Sequence, residues 1–203
     1  MNQNLTEIVF ILDRSGSMEG LESDTIGGFN GFVRKQAEAG PTSLTTVLFD
    51  DRYEILHNGI DAGIVVLTER EYFTRGSTAL LDAVGKTITD VGRRLNETPE
   101  ALRPGRVIFV ITTDGLENAS RKFGYDEVKK MITHQSEKYA WEFVFMGANI
   151  DAIGEGDRLG IAADRSFSFE ASRKGVAAMF CEADCVCGEI RSPGPKKKRA
   201  VKQ

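Results

Sequence analysis

The chain reads as an α/β protein: a doubly wound, mostly parallel sheet with one antiparallel edge strand and helices on both faces. Three observations lead there. Short runs of β-branched and aromatic residues alternate with longer amphipathic stretches from one end to the other. Two of those runs, EIVFIL at 7–12 and RVIFVITT at 106–113, are almost continuously apolar, as strands covered on both faces must be. And LTTVLF at 44–49 is separated from RYEILH at 52–57 by only Asp50 and Asp51, too short for a crossover and right for a hairpin.

In chain order, strand 7–12 is followed by a helix over 22–39, strand 44–49 and the alternating edge strand 52–57. Residues 79–95 set Leu80, Val84, Ile88, Val91 and Leu95 at steps of three and four, the stripe of a helix lying on a sheet. Strand 106–113 leads to a helix over 125–139, striped by Val128, Met131, Ile132 and Tyr139, with Asp126 and Glu127 near its positive end. Strand 141–147, a helix over 151–159 and a late edge strand over 165–170 complete the series. From residue 188 the composition turns to Pro, Gly and Lys, so one domain over 1–187 and a basic, disordered tail over 188–203 are expected.

Bulk properties narrow the setting. With 203 residues, 41% hydrophobic and 28% charged, the chain suits one soluble globular domain. No apolar run approaches the ~20 residues of a membrane span, and the N-terminus lacks the basic and apolar regions of a secretory signal. The three cysteines, Cys181, Cys185 and Cys187, sit together and give no disulfide framework, which fits a reducing, cytoplasmic compartment. Their spacing lacks the second pair of a structural zinc site, so free thiols at a helix end are expected. Residues 191–203 hold six basic side chains and no acid; without them 20 basic residues face 30 acids, and the body carries −10. That balance argues against nucleic-acid binding beyond weak contact through the tail. PKKKRAV within it also has the form of a nuclear import signal, a reading set below plain solubilisation.

The chemistry concentrates where strand 7–12 ends in Asp13, Arg14, Ser15, Gly16 and Ser17. A phosphate loop is disfavoured: GKT at 85–87 lacks its upstream glycine, since Leu80 stands there, and falls inside a helix. A serine nucleophile would need a histidine base, and the two histidines, His57 and His134, are expected on an edge strand and an exposed helix face. An aspartyl-phosphate enzyme would want an acid at Ser15. A cation site remains. Alternate residues of D-x-S-x-S can converge on one point, with Gly16 turning the backbone, and their oxygens suit Mg²⁺ or Mn²⁺. A second acid, Asp114, ends strand 106–113 and would open on the same carboxyl edge.

DRSGS at 13–17, RGSTALLDAV at 75–84 and VITTDGLEN at 110–118 together resemble the von Willebrand factor type A domain, with the three loops of its metal-ion-dependent adhesion site in order. The resemblance covers roughly residues 5 to 180 and is to small intracellular members of bacterial type. It implies metal ligands at Asp13, Ser15, Ser17, Thr78 and Asp114, Mg²⁺ (or Mn²⁺) as the ion, and another protein's Asp or Glu completing the coordination. A non-enzymatic, metal-dependent protein-binding module follows. The alternatives are a Mg²⁺-dependent phosphohydrolase on the same oxygens and a structural domain whose site is unused. Taken singly, Ser15, Ser17 and Asp114 could serve as caps. Asn149 and Asp151 read as caps of the helix that follows them, with rim contact to a partner as the lesser role, Met18 as packing, and Arg14 receives no role.

Overall fold

A computed structural model describes residues 1–192. Six strands form one sheet: β1 (Asn2–Asp13), β2 (Thr42–Phe49), β3 (Tyr53–Asp61), β4 (Pro104–Thr113), β5 (Glu142–Ala148) and β6 (Ser166–Phe169). Their order is β3-β2-β1-β4-β5-β6, and all pairs are parallel except β2 with β3. The hairpin inferred from Asp50–Asp51 therefore forms the antiparallel edge. Among the described residues four α-helices connect strands, α1 (Glu22–Glu38), α2 (Leu80–Glu97), α3 (Tyr125–Tyr139) and α4 (Ala152–Leu159), and a fifth, α5 (Arg173–Arg191), follows β6.

Side-chain alternation along the central strand assigns the two layers. Ile8, Phe10 and Leu12 point to α1 and α5, while Val9 and Ile11 point to α2, α3 and α4. Under the first layer the Phe10 ring meets Phe29 and Phe32 edge-on at 5.5 and 5.4 Å and stacks on Phe180 at 5.8 Å. Under the second, Phe109 stacks with Trp141 and Phe143. Strands β1, β4 and β5 are covered on both faces over most of their length, which is why their apolar runs show little polar alternation. The edge strand β6 instead alternates Ser and Phe, with Ser168 exposed.

Several boundaries differ from the sequence reading; β3, for one, runs to Asp61 rather than residue 57. Strand β1 starts at Asn2 rather than residue 7, because Asn2 and Thr6 already pair with β4 across an irregular register. The final helix, which the sequence located only through its cysteines, runs to Arg191, so Gly188–Arg191 is helical and does not begin the tail. Arg191 anchors that end by donating to the Gln36 carbonyl at 3.2 Å and the Thr42 hydroxyl at 2.5 Å. The three cysteines lie along α5, none of them in a disulfide, with Cys181 and Cys185 exposed and Cys187 buried. Residues 193–203, which carry the rest of the expected tail, lie outside the described residues. Among the described residues no helix is long and apolar enough to cross a membrane.

The chain leaves β1 toward β2 and β3 on one side, then crosses to β4, β5 and β6 on the other. The order thus reverses between β1 and β4. At such a switch point the connections after the two strands diverge, leaving a crevice outside their carboxyl ends. Asp13 is the last residue of β1, and Asp114 follows the last residue of β4.

Candidate metal centre

Three loops meet at that crevice. The first leaves β1 through Asp13 and Arg14 into a single 3₁₀ turn, Gly16–Met18, with Ser15 in extended conformation ahead of it. The backbone NH of Ser15 donates to Asp13 Oδ1 at 2.7 Å, which folds the loop back on its own carboxylate. The other oxygen, Oδ2, accepts from the Thr113 hydroxyl on β4 at 2.6 Å. The carbonyl of Asp13 accepts from the Tyr72 hydroxyl at 2.8 Å. Gly16, expected to turn the backbone between the serines, opens the 3₁₀ turn without entering the left-handed region. The left-handed conformation belongs to Gly76 in the second loop, with φ +68°, where an added Cβ would fall 2.3 Å from Asp51 Oδ1.

The second loop is pinned to both neighbours. Gly16 donates its NH to the Gly76 carbonyl at 3.2 Å, and Ala79 donates to the Asp50 carbonyl at 2.9 Å. Thr78 gives its NH to Asn118 Oδ1 at 3.0 Å, while its carbonyl accepts from the amides of Asn118 and Ala119. The third loop also supplies the cap of α2: Glu117 Oε2 accepts from Leu81 NH and Ser120 Oγ from Asp82 NH, both at 2.9 Å. Threonine and acid therefore arrive on loops that hold each other in place.

All five side chains singled out from the sequence converge. Ser17 Oγ donates to Asp114 Oδ1 at 2.5 Å and lies 3.1 Å from Ser15 Oγ. A Cβ built on Gly115 would sit 3.5 Å from Thr78 Oγ1 and 3.7 Å from Ser17 Oγ, so both hydroxyls face the same loop. Asp13 and Asp114 are 1% and 5% exposed, whereas Gly16, Ser17, Gly76, Ser77 and Leu116 form an exposed rim. Burial pushes the Asp13 carboxyl up to about 6, opposed by its hydrogen bonds from Thr113 and Ser15 and helped by the charge of Asp114. Burial likewise raises Asp114, against the hydrogen bond from Ser17. Among the described residues neither carboxylate forms an ion pair with a basic side chain. Two buried, unneutralised carboxylates beside three hydroxyls, with no nitrogen or sulfur donor among the five, make a donor set that a small divalent cation fits.

Other readings fall into place around the centre. Lys86 and Thr87 sit inside α2, the lysine paired with Asp90 at 2.8 Å and the threonine donating to the Ala83 carbonyl at 2.6 Å. His57 is on β3, and His134 is exposed on α3. Asp151 caps α4 by accepting from Gly154 NH at 3.0 Å, whereas Asn149, also read as a cap, is not the cap residue and instead takes the left-handed conformation at φ +56°. Arg14 carries the largest correction. It is fully buried and directed away from the five oxygens, where its Nε donates to Asp50 Oδ2 at 2.9 Å and Nη2 to Glu54 at 2.8 Å. Its position between two candidate ligands was the available signal; Thr113, Glu117 and Asn118, all inside VITTDGLEN, were the other contributors overlooked.

Comparison with known proteins bears on the fold alone. No protein-family model matches the chain, and no curated protein matches it significantly. Among solved structures, the vWF domain of the type V pili tip protein Mfa5 from Porphyromonas gingivalis superposes with a TM-score of 0.68 at 11% identity, covering 98% of this chain and all of that one. The VWA domain of SpRpn10 gives 0.59 at 10% identity, covering 98% of this chain and 100% of its own. The fold is that of a von Willebrand factor type A domain. Proximal thread matrix protein 1 from the mussel byssus also matches, in a structure described as having a zinc-occupied MIDAS motif, with a TM-score of 0.62 at 15% identity. The match covers 91% of this A-type fold but only 46% of the byssus protein, so the chain spans about half the length of that neighbour.

Proposed function

We propose that the chain is a metal-dependent protein-binding module rather than an enzyme. In this reading Asp13, Ser15, Ser17, Thr78 and Asp114 hold one Mg²⁺, with Mn²⁺ as a substitute, and an aspartate or glutamate of a partner protein completes the coordination. The observation that carries it is the convergence of these five oxygen donors from three loops at the switch point, around two buried carboxylates lacking a basic partner. When bound, such an ion supplies a Lewis-acidic position for an incoming carboxylate. The protein's own contribution is to present hard oxygens, to hold the loops together through Thr78 and Asn118, and to leave the rim at Ser17 and Leu116 open. The zinc-occupied motif named for the byssus protein supports a cation here without fixing its identity. The acidic body favours a protein over a nucleic acid as partner, and three α5 cysteines outside any disulfide favour a cytoplasmic setting.

Affinity capture from cells tests the reading in three arms: wild type in Mg²⁺, wild type with EDTA, and Asp13→Ala in Mg²⁺. A partner recovered only in the first arm is expected. Equal recovery in all three would leave a structural domain with an unused site, and metal-dependent hydrolysis of a phosphate ester by the wild type would replace binding with catalysis.

A further inference from the structure

A second cluster, which the five oxygens do not include, touches the same loops. Asp50, at the end of β2, is fully buried and receives two guanidinium groups on one carboxylate oxygen: Arg14 Nε at 2.9 Å and Arg75 Nε at 2.7 Å. Arg14 stands between Asp13 and Ser15 in the first loop, and Arg75 stands three residues before Thr78 in the second. The backbones of the same two residues are joined directly, Arg75 NH to Arg14 carbonyl at 2.9 Å. The exposed ring of Phe73 lies against both guanidinium groups, 5.4 Å from Arg14 Cζ and 5.1 Å from Arg75 Cζ.

We infer that Asp50, acting through Arg14 and Arg75, sets the spacing between the serine loop and the threonine loop, and that Arg75 is a positioning residue for cation affinity. This rests on the metal-binding reading above. The physical argument is that a cation site needs its donors preset; hydroxyls on separately moving loops must be ordered at the moment of binding, which weakens affinity. Arg14 and Asp50 are buried, so their removal disturbs folding as well. Arg75 is one-third exposed, at 33%, and is the arm of the cluster that can be cut while the fold stays intact.

Mn²⁺ affinity of the full chain, measured by electron paramagnetic resonance for wild type, Arg75→Met and Arg75→Lys, provides the test, beside amide hydrogen exchange of the metal-free proteins. Arg75→Met is expected to bind Mn²⁺ about 10-fold more weakly, the lower end of what loss of an outer support costs a metal site. Its melting temperature should stay within a few degrees of wild type. The Gly16 amide, which bridges the two loops, should exchange faster while amides of β1 and β4 do not change. Arg75→Lys, able to reach Asp50 with one charge, should recover most of the affinity. Wild-type affinity in Arg75→Met overturns the inference, as does a loss that Arg75→Lys fails to mend. A wild type that binds no Mn²⁺ removes the metal reading itself and this inference with it, an outcome distinct from the other two.

Discussion

Asp13→Asn is expected to make the metal-free protein more stable and, in the same molecule, to remove its response to Mg²⁺. Asparagine keeps the shape, its Oδ1 can still accept from Ser15 NH, and its amide can donate to the Thr113 hydroxyl, which reverses that bond. What disappears is a buried charge beside a second carboxylate. Burial has raised the Asp13 carboxyl from 3.8 to about 6, so above that pH its ionised form disfavours the folded state. Relief of that cost amounts to roughly 1–3 kcal/mol. The sign with pH follows. Between about 6 and 4 the folded wild type binds a proton that the unfolded chain does not, so wild-type stability rises relative to the variant as pH falls. The gap between the two should narrow through that window and close near pH 4. With Mg²⁺ at about 1,000 times its dissociation constant the order at neutral pH reverses, because the wild type alone gains about 4.1 kcal/mol from linkage. Thermal melts of both proteins, with EDTA and with Mg²⁺, check the crossing. Parallel shifts in the two proteins would contradict it.

Asp50→Ala should be the most damaging single substitution around the loops. Arg14 would keep Glu54, which is half exposed, and the Glu71 carbonyl at 3.3 Å, but its buried Nε and the Arg75 Nε would lose their shared acceptor. Burial works to raise the Asp50 carboxyl, yet hydrogen bonds from Arg75, the Arg52 amide and Arg14 hold it below the usual range, so the native state depends on its charge. Leaving a buried guanidinium underpaired costs about 3–5 kcal/mol. For a chain of this size that corresponds to a fall of roughly 10 °C in melting temperature, measurable by calorimetry. A fall of only a degree or two would mean that Arg14 finds another partner.

The contrast between Asp13 and Asp50 shows which parts of this molecule its sequence discloses. Strands β1 and β4 are legible because burial on both faces demands unbroken apolar runs, and the β2–β3 edge because two residues cannot span a crossover. The five candidate ligands are legible because they lie at or just past the ends of two apolar strands and just ahead of a striped helix. Each alone could be a cap, but capping does not explain all five together. Asp50 and Arg14 carry no such mark. An acid in a tight turn and an arginine after a strand both look like solvated residues; only the packed fold shows that they meet under Phe73. Helix α5 was obscured for another reason, since alanine and cysteine fill much of its apolar stripe around Val176, Met179, Phe180 and Val186. The Glu117 and Asn118 contacts to α2 and Thr78 depend on the path of an irregular loop, which hydrophobic periodicity does not encode.

Calorimetric titration of Mg²⁺, and separately of Mn²⁺, into the EDTA-treated chain and its Asp114→Ala variant addresses the cation site most directly. One site per chain is expected in the wild type and none in the variant, whose hydroxyls lose the carboxylate that Ser17 now contacts at 2.5 Å. No heat of binding in the wild type, or the same affinity in both proteins, would contradict a metal centre built from Asp13, Ser15, Ser17, Thr78 and Asp114.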